Sequence, residues 1–270
     1  MILSRWQGRL LVVLQPDHGT QTGLIAEQWG NDEIPPLTDF RVAAERAGRH
    51  HDDGWAIWER HPTLEPRTGQ PVQFHAVDPI EHIAAYRAGI TRAAQLDPWT
   101  GLLVSMHGAG LYNDRYGTYR LSELSEQTFS TTEQAVVGEF LSDMAELQQR
   151  LAEDSLGHRL PNRASEDPLV RHHYLLLQVW DRLSLQFAFR HAADGVISPL
   201  SWLAKPATQL RCAHLGAMAL RLDPYPFGTD SSTFPVRGYL LQNRPYRNPE
   251  DFLAALTSAA PVDLDCQVSR

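Results

Sequence analysis

At 270 residues, 43% hydrophobic and 21% charged, the chain has the composition of an ordinary folded protein with length enough for one substantial core. A formal net charge of −8 argues against a wide nucleic-acid face, which needs dense basic surface. Lys205 is the only lysine among 24 cationic residues, so Schiff-base and P-loop lysine chemistry is nearly excluded and anion contacts fall to arginine.

The N-terminal apolar stretch is interrupted by Arg9 and followed by Gln15 and Asp17, without a small-residue cleavage site; RLLVVL (9–14) therefore reads as a strand and not as a signal peptide. A helix is expected from Asp17 or Thr20 through GLIAEQW to a left-handed stop at Gly30 or Asn31. Thr38 is the expected N-cap of DFRVAAERAGRHHDDG, where Phe40, Ala43, Ala44 and Ala47 share one face. Residues 60–78, rich in Pro, Gly and Thr, read as an ordered loop.

Helical patterning returns in PIEHIAAYRAGITRAAQ, breaks at Asp97-Pro98, and resumes in PWTGLLVSMHGAGLY. TTEQAVVGEFLSDMAELQQRLAED predicts a long amphipathic helix, and DPLVRHHYLLLQVWDRLSLQFAF another with Asp167 as N-cap and Pro168 at N1. Beyond about residue 195, short β-type runs such as GAMALRLDPYPF, PVRGYLLQ and VDLDCQV suggest strands able to pair with the N-terminal one. The expectation is a single domain over 1–270, mainly α, with a helical core over about 16–195. A small β element would come from 8–15 and about 205–268.

No apolar run approaches the roughly 20 residues that cross a bilayer. Two cysteines far apart, Cys212 and Cys266, make a disulfide framework unexpected, so the default is a cytoplasmic protein with a small-molecule substrate and no nucleic-acid or membrane partner; a homodimer is compatible.

Twelve histidines are many for this length. His18 stands at the head of the first expected helix, His51-Asp52 near the end of the second, and His82 and His107 in the next two. Asp181 lies in LLLQVWDRLSLQF, apolar on nearly every side, where a carboxylate is costly unless paired or metal-bound. Imidazole with carboxylate suits Fe, Mn, Zn or Ni better than Ca or Mg alone.

The order H…HD…H…H…D on successive helices resembles the HD-domain superfamily of metal-dependent phosphohydrolases, which also holds diiron oxygenases. The blocks DHGTQTGLIAEQWGN, HHDDGWAIWE, LLVSMHGAGLY and LQVWDRLSLQF more closely resemble an uncharacterised bacterial domain-of-unknown-function family. The HD resemblance implies an HD-like helical bundle in which His18, His51, Asp52 and Asp181 hold one ion. His82 and His107 would hold a second, with Asp52 bridging, so the cofactor is one or two divalent transition metal ions. The implied activity is phosphoester hydrolysis by a metal-bound hydroxide. The alternatives are a diiron oxygenase and a metal-binding protein without catalysis.

Two departures stand out. Trp55 occupies the place where the phosphohydrolases commonly carry lysine, which hints at a flatter or more apolar substrate, and Asp53 is acidic where an apolar residue is usual. Asp53 is a candidate for orienting an imidazole or acting as general base, alongside Asp52 and Glu59 as catalytic candidates. Trp29, Trp55 and Trp58 read as core or pocket wall, His50 as a bystander, and His75 as a rival to His82. Arg87, Arg92 and Arg115 are the candidates to meet an anion. His172 and His173 read as a solvated face.

Overall fold

The computed structural model describes residues 1–117, 129–189, 195–202 and 205–270. The strands are β1 (Ile2–Trp6), β2 (Arg9–Val13), β3 (Gly195–Trp202), β4 (Lys205–Gly216), β5 (Ala219–Asp223), β6 (Ser231–Leu241) and β7 (Pro261–Ser269). The helices are α1 (Gln15–Glu27), α2 (Arg41–His50), α3 (Trp55–Trp58), α4 (Pro79–Leu96), α5 (Pro98–Gly110), α6 (Thr131–Leu156), α7 (Pro168–Ala188) and α8 (Pro249–Ser258).

The strands form one seven-stranded sheet in the order β1-β2-β6-β7-β5-β4-β3, antiparallel throughout except for the parallel β5–β7 pair. About 51% of the chain is helical, and the sheet curls into a half-barrel. The expected mainly α, HD-like bundle with a small β element is therefore wrong: the β part is a full seven-stranded sheet. The physical reason lies in strands such as β6, SSTFPVRGYLL. It buries Phe234 and Val236 while Thr233, Pro235 and Arg237 face out, a period-2 pattern over 11 residues that makes a full strand of the sheet where only a short run was expected. The expected pairing of the two chain ends does occur, with Leu10, Leu11 and Val12 of β2 opposite Leu241, Leu240 and Tyr239 of β6.

Helix starts follow side-chain chemistry. Asp78 accepts from the Ile80 amide, Asp97 from Thr100, and Asp167 from Leu169 and Val170, while Ser130 and Glu133 close a capping box on α6. Thr38 does not cap α2, which begins after Phe40, left-handed at φ 47° and stacked on Trp99 at 4.1 Å. Only Leu14 separates β2 from α1, so α1 leaves the sheet directly and runs against β6 and α7.

His172 and His173 are buried rather than solvated. Trp99 Nε1–H donates to His173 Nδ1 at 3.0 Å. Burial, aided by the neighbouring His172, lowers the His173 pKa to about 3. An unfolded chain takes up this proton near pH 6.5 and the folded one does not, so His173 costs stability progressively as pH falls from 6.5 toward 3. Substituting His173→Gln, which keeps an acceptor for Trp99, should recover roughly 3 kcal/mol of the stability that the wild type loses between pH 6.5 and 4. Urea titrations of both proteins across that range measure the difference.

The GRHHDDGW segment crosses α4 at its glycine. A Cβ on Gly54 would lie 1.9 Å from the Ala85 carbonyl oxygen and 3.0 Å from the Gly89 amide, both backbone. Only hydrogen fits there. Gly54→Ala is expected to cost about 2–3 kcal/mol by overpacking and to lower the melting temperature by roughly 5–10 °C; an unchanged melt would refute the contact.

Candidate metal centre

Four elements meet at the core. α1 brings His18, the end of α2 brings His51 and Asp52, α5 brings His107, and α7 brings Asp181; all five side chains are buried. Their ligand-type atoms form two overlapping groups, His18–His51–Asp181 and His51–Asp52–His107, each within 4.8 Å of one another. Asp181 Oδ1 lies 3.0 Å from His18 Nε2 and 3.6 Å from His51 Nε2, and His51 Nε2 is 3.5 Å from Asp52 Oδ2.

The hydrogen bonds fix which nitrogen of each ring is bare. Gln21 Nε2–H donates to the Phe234 carbonyl of β6, which turns its Oε1 toward Ser184. The Ser184 hydroxyl donates to that Oε1 at 2.6 Å and therefore accepts from His18 Nδ1–H at 2.7 Å. His51 Nδ1–H donates to the Gly48 carbonyl at 2.8 Å, and His51 Nε2 has no hydrogen-bond partner. In their neutral forms both rings thus aim an unprotonated Nε2 at the Asp181 carboxylate. A lone pair facing a carboxylate oxygen at 3.0 Å needs a cation between them, either a proton or a metal ion.

The electrostatics agree. Burial alone would raise the Asp52 and Asp181 carboxyls and depress His51. For Asp52 it is outweighed by His51 and His107, and for Asp181 by the imidazoles of His18, His51 and His107 around it, so both carboxyls stay well below their usual range. Asp52 and Asp181 in turn push His51 up to about 9. Two ionised carboxylates sharing buried imidazoles form a donor set that fits a divalent ion.

The other expected residues fall around this group. His82 is buried but belongs to neither group; its Nδ1 is 2.7 Å from the Tyr112 hydroxyl, and burial lowers its pKa to about 4. Tyr86 stands between, donating to Asp52 Oδ1 at 3.0 Å and lying 3.5 Å from His107 Nε2. Asp53 does orient an imidazole, but that of His50, at 2.7 Å. Glu59 receives the Gln15 amide at 3.0 Å and sits 2.7 Å from the Met1 amino group. Trp55 is enclosed by Trp58, Phe74, His82 and Tyr86 and is a wall of the site, while Trp29 packs on Trp180 and Phe227. His75 is half-buried against Phe74 and Phe189, outside both ligand groups. Arg87 pairs with Asp143 on the surface.

Sequence reasoning missed Gln21, Ser184 and Tyr86. The signal for the first two was present: Gln21 lies three residues after His18 and Ser184 three after Asp181, one helical turn away on the same face.

Ser184→Ala should loosen the His18 ring and reduce metal affinity by about 10–100-fold while leaving the fold intact. Calorimetric titration with Mn²⁺ reads this directly, and equal affinity in the two proteins would dismiss the relay.

A family model described as "Protein of unknown function (DUF3891)" matches residues 1–243. No curated protein and no solved structure matches the chain.

Proposed function

Because the chain belongs to the DUF3891 family, whose description names no activity, its chemistry rests on the site itself, and we propose that it is a metal-dependent hydrolase acting on phosphate esters. The observation that carries this reading is the pair of bare imidazole nitrogens, His18 Nε2 and His51 Nε2, turned toward ionised Asp181 among buried side chains beside Asp52.

His18, His51, Asp52 and Asp181 would hold the ion, of the kind served by mixed N and O donors: Fe, Mn, Zn or Ni. A divalent ion at such a site supplies Lewis acidity and brings the pKa of a bound water down toward ~7. The surrounding residues do the rest. Tyr86 donates to one oxygen of Asp52 and leaves the other directed at His51. Ser184 and Gln21 lock the His18 ring, and Trp55 closes the side toward α4, keeping water off the charged groups. The resemblance to the HD phosphohydrolases in ligand order supports the same chemistry. The diiron alternative needs His82 in a second ligand set, and among the described residues His82 joins no such group.

Mn²⁺-loaded protein is expected to release phosphate from at least one member of a panel of phosphomonoesters, phosphodiesters and nucleotides. Asp52→Asn should reduce that release by at least ~10³-fold. Bound metal with no turnover anywhere in the panel, together with a lower melting temperature on chelation, would instead favour a metal that only staples the helices.

A further inference from the structure

Most polar side chains buried around the centre are held by one another. Tyr86 donates to Asp52, Ser184 to Gln21 and Gln21 to Phe234. Arg115, buried in the left-handed turn after α5, has Nη1 3.4 Å from His107 Nδ1. Gln15, the first residue of α1, differs. It is 1% exposed, and neither its Nε2 nor its Oε1 has a hydrogen-bond partner among the described residues. A buried carboxamide with both ends unmet is costly, and such a group calls for a water or a ligand that supplies an acceptor and a donor.

The place of Gln15 follows from the crossing of α1 and α2. A Cβ on Gly48 would lie 3.5 Å from Ala26 Cβ, and one on Gly19 would lie 2.6 Å from the Arg49 carbonyl oxygen. Later residues of α2 thus meet earlier residues of α1, and one turn before Gly19 the partner is the stretch that follows His51. The contacts there agree: the Gln15 amide donates to Glu59 Oε1 at 3.0 Å, and the Glu59 amide donates to the Trp55 carbonyl. Gln15 also stands one helical turn before His18, on the same face. It therefore lies in the angle between two ligands, His18 along its own helix and Asp52 at the end of α2. Glu59 and the Met1 amino group, 2.7 Å apart, offset each other's charge beside it. That corner is polar without a net charge to repel an anion.

We propose that Gln15 is a substrate-binding residue of this centre: Nε2–H donates to a non-bridging oxygen of the phosphate group, and Oε1 accepts from the water that attacks it. Both are hydrogen bonds, with no covalent change at Gln15. The inference rests on the metal-dependent phosphoester reading above, and its test separates the two. Calorimetric titration of wild type with Mn²⁺, then of the Mn²⁺-loaded protein with inorganic phosphate, supplies the reference. Gln15→Met keeps the length of the side chain and removes both polar ends. It should melt no lower than wild type in the metal-free state, because an unmet amide has left the core. It should bind Mn²⁺ within about threefold of wild type and phosphate at least about tenfold more weakly. Gln15→Asn, the second variant should the first not fold, draws the amide back by one methylene and should lose phosphate affinity roughly fivefold. Unchanged phosphate affinity in a folded variant would overturn the role of Gln15. So would a loss of Mn²⁺ affinity as large as the loss for phosphate, which would make Gln15 a support for the ligands. Wild type that binds Mn²⁺ but not phosphate would overturn the phosphoester reading and this inference together while leaving the metal centre. No Mn²⁺ binding at all would overturn the centre itself.

Discussion

Asp181 is the constraint around which the chain is arranged. It sits on α7 among Leu177, Trp180 and Leu183, all fully buried, where an unpaired carboxylate would be intolerable. Its compensation comes from two other elements, His18 on α1 and the His51 that ends α2, so three helices must converge for the carboxylate to exist there at all. That convergence makes the polar centre a specification of the fold as well as a site. A packing that separated α1 from α7 would strand an ion in hydrocarbon.

The sheet takes part in this through a single side chain. Gln21 spans from the Phe234 carbonyl of β6 to the Ser184 hydroxyl of α7, and Ser184 in turn receives His18. The orientation of an imidazole in the helical layer is thereby tied to the backbone of the sheet layer. Two buried amide and hydroxyl groups, which would otherwise weaken a core, are satisfied by each other and by the ring they position.

Much of the site was legible because its chemistry is local. His51-Asp52 announces itself by adjacency, and Asp181 by its apolar neighbours. The helix starts at Asp78, Asp97, Asp167 and Ser130 are written in side chains that cap the backbone a few residues on. The strand runs of the C-terminal part were legible one by one, PVRGYLLQ of β6 among them; the extent of the sheet was hidden because its order depends on pairings more than 200 residues apart, such as Leu11 with Leu240. His172 and His173 were misplaced since histidine near a helix start carries no sign of which neighbour, here Trp99, will cover it. The burial of Arg115 was invisible for a different reason: three successive non-glycine residues in a left-handed turn run against every local preference. The GRHHDDGW segment itself splits by role, with His51 and Asp52 in the centre, His50 and Asp53 paired with each other, and Gly54 the point where the backbone touches α4.

The single residue between β2 and α1 ties angular position to strand register. With only Leu14 as connection, the hydrogen-bonded register of β2 against β6 sets the rotation at which α1 begins, and hence the direction of His18 about the helix axis. One residue inserted between Val13 and Gln15 would rotate His18 by roughly 100° on a regular helix, away from Asp181 and toward the next face. In this chain length at that junction is a coordinate of the site, so a deletion or insertion there turns His18 away and strips the buried Asp181 of a partner in the same step.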